Sequence, residues 1–443
     1  MKILKFGGTS VGSAERMAAV ASLIQSDEPK IVVLSAMSGT TNALVQIAET
    51  LYQNKNEEAN ALIDALHDKY KQVVEELYTS TEKKKQANEL LVTHFDYLRA
   101  FTQDLFTVHE ERAVLAQGEL LSTALFQFFL EEKGIRSILL PALNFMKIDE
   151  NEEPDTVYIA KQLKVELEKY PDVKLFITQG YICRNAFGEI DNLKRGGSDY
   201  SASLIGAAAD ADEIQIWTDI DGMHNNDPRI VKNTYPIAEL SFDEAAELAY
   251  FGAKILHPSS VLPAKQKNIP VRLLNTMEPE AKGTTISAER VSGGIKAVAA
   301  KDGITAIKIK SGRMLLAYGF LRSVFEVFER YKTPIDMITT SEVAVSLTID
   351  NDKALKEIVA ELEKFGQVEV DKEQTIICVV GDFIAQNSGS SLKIFKSLQD
   401  IPLRMISYGG SRSNISLLID TSNKVEALNK LNEGIFERNT ANA

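Results

Sequence analysis

The chain has 443 residues, 44% of them hydrophobic and 25% charged, with a formal net charge of −13. Those proportions are ordinary for a globular protein, and the length leaves room for about two to four domains. The acid excess excludes a nucleic-acid or anionic-membrane partner, since both need a basic surface, but it allows a small anionic substrate where cations are gathered locally.

Met1 to Phe6 reads as a short buried strand, broken by Gly7-Gly8 before a helical pattern begins near Ala14. Two glycines let the backbone turn sharply and leave its N–H groups open to an anion, while the next helix points its positive end there. Lys5 adds a mobile charge. A plain turn is the competing reading of the glycine pair. A helix follows from Arg16 to Ile24, then a buried strand, Ile31 to Leu34, which ends in the hydroxyl-rich loop Ser35 to Asn42. This is βαβ grammar, and ligands in such sheets sit at the carboxyl ends of the strands.

From Thr40 to Gln117 there is no proline and no glycine. Leu62, Leu66, Tyr70, Val73 and Leu77 share one helical face, so a helical insert of about 42–117 is expected. Lys83 to Lys85 reads as a solvated turn between helices. His67, His94 and His109 lack metal-like spacing. Glu119, in Gly118-Glu119-Leu120, reads as a first-turn helix carboxylate. A strand near Ser137 to Leu140, a helix from Thr156 to Tyr170 and the strand Leu175 to Ile177 follow.

Lys194-Arg195-Gly196-Gly197-Ser198-Asp199 opens another helix with a second Gly-Gly pair, now preceded by Arg195. Ser198 fits an N-cap. On capping grounds alone Ser198 and Asp199 need no chemistry, but two anion cradles in one α/β domain reinforce each other. The strand Glu213 to Trp217 leads into the polar loop Thr218 to Arg229, suited to a base, a ribose and a phosphate. A helix from Ser241 ends near Lys254, His257-Pro258 reads as a structural turn, and Val271 to Leu274 closes the sheet.

Beyond a polar stretch from Glu278 to Gly294, strands and helices repeat. Ile304 to Val370 spells βαββαβ, and Thr375 to Leu431 spells βαββα without its last strand. Gly294 to Ala300 offers the missing one, so the first unit is expected to lie inserted within the second, sparing an open edge. Cys183 and Cys378, the two cysteines, give neither a disulfide framework nor a metal cluster and are expected in cores. No apolar run is read as reaching transmembrane length, and the N-terminus enters a strand without a signal peptide, so a cytoplasmic protein is expected.

Lys5-Phe6-Gly7-Gly8-Thr9-Ser10, Gly118-Glu119, Arg195 to Asp199, Trp217 to Gly222 and Phe251 to Pro258 together resemble aspartate kinase, in that family's order and spacing, and the tail resembles its paired ACT regulatory domains. The likeness runs over essentially the whole chain and most resembles the monofunctional, lysine-sensitive branch, so no homoserine dehydrogenase domain is expected after residue 443. It implies an α/β three-layer sandwich with a largely parallel central sheet at 1–285, then two ferredoxin-like ACT domains. The second would comprise 294–301 plus 375–443, and the first, 302–374, would lie inside it.

The resemblance also implies a chemistry. The γ-phosphoryl of ATP, carried with Mg²⁺, would pass to the side-chain carboxylate of L-aspartate. That carboxylate has an unperturbed pKa of about 3.9, so no general base is required; the obstacle is repulsion between two anions. Lys5 would bridge the moving phosphoryl group, Gly7 and Gly8 would lend backbone donors, and Asp199 would orient Lys5. Arg195 would grip the α-carboxylate bidentately, Glu119 the α-ammonium, with Ser35, Thr41, Gly196 and Ser198 completing the substrate site. Thr218, Asp219, His224, Arg229 and Lys254 would join Lys5 in holding the nucleotide. No dedicated metal cage is expected. His224 departs from the family, which commonly has Tyr there; an imidazole can still stack on adenine.

In the tail, Met314, Gly319, Phe320, Leu321, Asp336, Thr340, Ser341 and Glu342 match the lysine-binding pattern, with Asp336 or Glu342 facing an effector ammonium. Without the resemblance, Asp336 reads as part of a turn before a strand. A homodimer through the ACT strands is implied, with a dimer of dimers as the next possibility. The rivals are a glutamate or acetylglutamate kinase of the same fold, and a non-catalytic amino-acid sensor.

Overall fold

The computed structural model describes residues 1–103, 105–193, 196–252, 256–289, 294–312, 318–381 and 389–436. They divide into two compact units, Met1–Met223 with Ala238–Phe242 and Leu256–Glu289 forming the first. His224–Ile237, Asp243–Ile255 and Arg290–Ala443 form the second.

The first unit opens with β1 (Lys2–Phe6), α1 (Ala14–Leu23) and β2 (Lys30–Leu34), followed by four helices, α2 (Thr40–Tyr52), α3 (Asn56–Leu77), α4 (Thr81–Ala100) and α5 (Val108–Glu132). Then come β3 (Ile138–Leu140), α6 (Thr156–Glu168), β4 (Leu175–Gln179), a small hairpin of β5 (Ile182–Arg184) and β6 (Ile190–Asn192), α7 (Gly197–Ala208) and β7 (Glu213–Thr218). After β8 (Glu239–Ser241) the chain passes through α8 (Phe242–Tyr250), which from Asp243 onward belongs to the second unit, and then completes the first with α9 (Leu262–Lys267), β9 (Val271–Asn275) and β10 (Thr284–Ser287).

Eight strands form one sheet in the order β3-β4-β2-β1-β7-β9-β10-β8. All neighbours run parallel except β9 and β10. β9 therefore does not close the sheet: β10, in the polar stretch after it, and β8 extend the edge. One face of the sheet, with Leu4, Phe6, Val32, Leu34 and Ile177, shares a core with residues of α1 to α5. The other face meets α7, which packs on α6 and α9, so helices cover both sides as a buried parallel sheet requires.

Local chemistry sets the helix starts. Ser13, Ser80 and Asp155 cap α1, α4 and α6 with side-chain oxygens, and Thr107 with Glu110 makes a reciprocal capping box on α5. Lys83 to Lys85 lie inside α4 rather than in a turn, with Lys83 on Glu131 and Lys84 on Glu75. α5 is also long and apolar enough to cross a membrane by length and composition, contrary to expectation. Yet 83% of its apolar window is buried inside the protein, which makes it a core helix.

In the second unit, β11 (Ile295–Lys310), α10 (Phe320–Arg330), β12 (Ile338–Thr340), β13 (Ala344–Ile349), α11 (Leu355–Leu362), β14 (Gln367–Gly381), α12 (Ser390–Ser397), β15 (Met405–Tyr408), β16 (Asn414–Asp420) and α13 (Lys424–Ile435) follow in order. The sheet order is β12-β13-β11-β14-β16-β15. β11 and β14 run antiparallel along their whole length: the first half of β11 pairs the second half of β14, and the reverse. β13 adds to the later half of β11 and β16 to the later half of β14. Two cores result, one around Ile307, Val327 and Leu347 and the other around Val298, Ile377 and Leu417. Both cysteines are buried and unpaired.

Candidate functional site

Parallel register brings the carboxyl ends of β2, β1 and β7 level, with Phe6 opposite both Leu34 and Trp217. Lys5, one residue from the end of β1, extends its ammonium to Asp199 Oδ1 at 2.6 Å, both side chains being mostly buried. Asp199 stands in the first turn of α7, where the helix dipole favours an anion.

The Ser35 hydroxyl donates to Ser198 Oγ at 2.9 Å, and the Ser122 hydroxyl on α5 donates to the Ser35 carbonyl at 2.7 Å. Glu119 Oε1 accepts the Ala36 N–H at 3.2 Å. Thus β1, the loop after β2, α5 and α7 meet around Lys5, Ser35, Glu119, Ser198 and Asp199.

Several expectations need correction. Glu119 is not in a first turn but in the middle of α5, 4% exposed. Burial pushes its carboxyl up to about 7, against the lowering effect of the Ala36 N–H. Ser198 is not a cap: Gly196 takes that position with φ of 70°, and Ser198 lies one residue inside the helix. A Cβ on Gly196 would stand 2.1 Å from Ser260 Oγ, so φ and space both demand glycine there. The Gly7 N–H is already given to the Trp217 carbonyl at 3.3 Å, so Gly7 is not an open donor in this structure. Five residues, Thr9 to Ser13, separate the glycine pair from α1.

Thr41 is exposed, in the first turn of α2. Thr218 ends β7, and its hydroxyl donates to Asp219 Oδ1 at 3.2 Å. His224 and Arg229 belong to the second unit. His224 Nδ1 lies 2.9 Å from Thr234 Oγ1, and the Arg229 guanidinium folds back on Asp227 at 2.7 Å. His257 caps the short helical turn at Pro258–Val261, as its structural reading required. In the tail, Gly319 caps α10 with φ of 84°, Phe320 and Leu321 begin that helix, and Thr340, Ser341 and Glu342 are exposed at the end of β12. Arg195, Lys254 and Met314 lie outside the described residues.

Two side chains of the helical insert were not foreseen. The Lys69 ammonium donates to the Ser38 carbonyl at 2.7 Å, and Tyr70 OH lies 3.1 Å from Thr40 Oγ1. Tyr70 was legible only as one of a row of apolar positions on α3. Nothing local marks Lys69, whose partner is a backbone oxygen thirty-one residues earlier.

Residues 1–275 match the model of the amino acid kinase family, and residues 377–434 match that of the ACT domain. Lysine-sensitive aspartokinase 3 of Escherichia coli is 33% identical over 98% of this chain and 99% of its own length. The crystal structure of E. coli aspartokinase III with aspartate and ADP, called its R-state, superposes with a TM-score of 0.85 at 32% identity, covering 98% of this chain and all of that one. Its T-state complex with lysine and aspartate gives 0.80, again at 32% identity, over 98% of this chain and 99% of that one. With Lys5, Ser35, Glu119, Ser198 and Asp199 gathered at one sheet edge and a likeness that runs nearly end to end, the chain belongs to the amino acid kinase family and, within it, to the aspartokinases.

Proposed function

We propose that this aspartokinase moves the γ-phosphoryl of MgATP to the side-chain carboxylate of L-aspartate, giving 4-phospho-L-aspartate, at the site formed by Lys5, Ser35, Glu119, Ser198 and Asp199. The observation that carries the reading is the mostly buried Lys5–Asp199 contact of 2.6 Å at the carboxyl edge of a parallel sheet. The acceptor carboxylate is ionised at neutral pH, so the site supplies fixed positive charge and no base. Asp199 holds the Lys5 ammonium in place, and Lys5 meets the charge that gathers on the transferring group. Gly8, Gly196, Ser198 and Arg195 add donors around the two anions. Glu119, poised near neutrality, takes the substrate ammonium and is driven to its ionised form by doing so.

Thr218, Asp219, His224, Arg229 and Lys254 are assigned to the nucleotide by the same reading, and Mg²⁺ travels with the phosphates, held by them, by water and by at most one or two carboxylates. Residues 294–301 with 375–443, and 302–374, are assigned as nested ACT domains; the crossed pairing of β11 and β14 supports that division. Lysine is the proposed effector, binding near Asp336 and lowering activity. A homodimer through the ACT region is supported by Ile406 and Tyr408, both exposed on the edge strand β15. Buried, unpaired cysteines suit the reducing cytoplasm.

A coupled assay of ADP release with aspartate, glutamate and N-acetylglutamate tests the reaction. Turnover with aspartate alone is expected. Preference for either other acceptor, or no release with any, would overturn it.

A further inference from the structure

Four side chains of the second unit form an ionic cluster away from the transfer site. Lys301 lies where the register of β11 against β14 shifts, between Lys301 and Ile304; such irregularities re-aim side chains. Its ammonium bridges Asp336 Oδ1 and Asp350 Oδ2, each at 2.8 Å. Asp336 precedes β12, and Asp350 follows β13 directly. The Tyr250 hydroxyl, at the end of α8, donates to the same Asp336 oxygen at 2.6 Å. The Lys301 ammonium also sits 4.2 Å from the centre of the Tyr250 ring, within cation–π range.

The Asp336 side chain is 1% exposed, yet its second oxygen, Oδ2, accepts no hydrogen bond from the described residues. Two donors crowd one oxygen while its neighbour takes none. A buried carboxylate oxygen left without a donor is costly, so the arrangement favours a further donor. The family resemblance offers Asp336 or Glu342 as the partner of an effector ammonium, and an ammonium of the chain's own already occupies Asp336.

We propose that Lys301 is a tethered competitor of the effector at Asp336: when lysine places an ammonium on Asp336, Lys301 withdraws to Asp350 and Tyr250 loses its place on the carboxylate. This rests on the reading that lysine binds in this region. Two ammonium groups on one buried carboxylate repel each other strongly where screening is weak. Lys301 has a second carboxylate at the same distance to fall back on, so its withdrawal leaves no charge stranded. Tyr250 then loses both its shared acceptor and the cation over its ring. In sequence Tyr250 is four residues before Lys254, which the resemblance gives to the nucleotide, so the change falls on the helix that precedes a proposed nucleotide contact in the chain.

The test is calorimetric titration of L-lysine into the full-length protein, with inhibition measured on the same samples and melting curves to confirm folding. Lys301→Gln removes the competitor and is expected to bind lysine about fivefold or more tightly, from the like-charge repulsion relieved. Lys301→Arg keeps a cation between the carboxylates and is expected to stay near wild type. Asp336→Asn is expected to bind at least about tenfold more weakly, as loss of a charged acceptor implies. Tyr250→Phe is expected to bind lysine but to be inhibited less at saturation. Equal or weaker affinity in Lys301→Gln overturns the competition while leaving lysine regulation intact, and so does unchanged affinity in Asp336→Asn. Full inhibition of Tyr250→Phe overturns the link to α8. Absence of heat with the wild-type protein overturns both this inference and the regulatory reading beneath it.

Discussion

Glu119 is the residue whose chemistry departs furthest from its sequence context. With the carboxyl raised to about 7 by burial, the folded protein holds a proton there that the unfolded chain releases near 4.5. Stability from this group is therefore full below about 4.5 and is lost as pH rises towards 7, to the extent of about 3 kcal/mol. Glu119→Gln lacks that slope. Its stability relative to wild type, from denaturant titrations across the window, is expected to grow by about 3 kcal/mol from the acid end to neutrality. A substrate ammonium reverses the shift, so aspartate binding near neutral pH should release a fraction of a proton, seen as a buffer-dependent heat. The aspartate KM should fall as pH rises through 7, and Glu119→Gln should lose both effects. Lys5 makes the complementary case. Lys5→Met leaves Asp199 without its cation and removes the charge that meets the phosphoryl group; kcat is expected to fall by about 10² to 10³ or more, as for other preorganised donors. The melting temperature separates that loss from unfolding.

At the scale of elements, α5 and the loop after β2 are built as one piece. A Cβ on Gly118 would stand 2.7 Å from Ala36 Cβ and 3.3 Å from Thr40 Cγ2. Gly→Ala within a helix ordinarily stabilises by about 0.5–1 kcal/mol, but here the added carbon drives into the loop that carries Ser35 and into the start of α2, which carries Thr41. Gly118→Ala is expected to lower the melting temperature and to raise the aspartate KM several-fold, whereas a gain in stability with unchanged KM would show that the loop yields freely. The same pair of elements shows where sequence reading succeeds and stops. The glycine corners, the strand ends and the residues flanking them were legible because parallel strands put their carboxyl ends at one edge whatever the connections do. The position of Glu119 is not legible in the same way: the helix begins just after Thr107, whose capping box with Glu110 carries the start signal, so without it a mid-helix carboxylate reads as a first-turn one. Ser198 reads as a cap because serine favours that position, but a left-handed Gly196 holds it. β8 and β10 were missed because each is only a few residues long, and three or four residues carry no period.

For the molecule as a whole, the polar loop between β7 and β8 matters more than its sequence announced. It reads as a nucleotide loop, yet residues His224–Ile237 group with the ACT unit. Val231 joins the core of Ile377 and Leu417. Asn225 and Asn226 are buried, and so is Asn432 on α13. The Asn226 amide donates to the Leu428 carbonyl at 3.0 Å, and both loop asparagines reach Asn432 Oδ1 at 3.5 Å. The Asn225 carbonyl receives the Val298 N–H of β11 at 2.8 Å, and the ring of Tyr235 meets that of Phe436 edge-on. A segment proposed to touch ATP is thus bonded into the regulatory half by buried amides, which are costly to leave unpaired and so hold one geometry. Asn226→Ala removes the donor to the Leu428 carbonyl, which keeps its own helical bond within α13, and one of the two amides on Asn432 Oδ1. Destabilisation of about 1–3 kcal/mol is expected, together with a raised KM for ATP and little change in the KM for aspartate, whose proposed contacts lie in the other unit. Steady-state kinetics with each substrate varied in turn would check this, and equal rises in both KM values would mean that the loop's anchoring serves general stability and not the nucleotide.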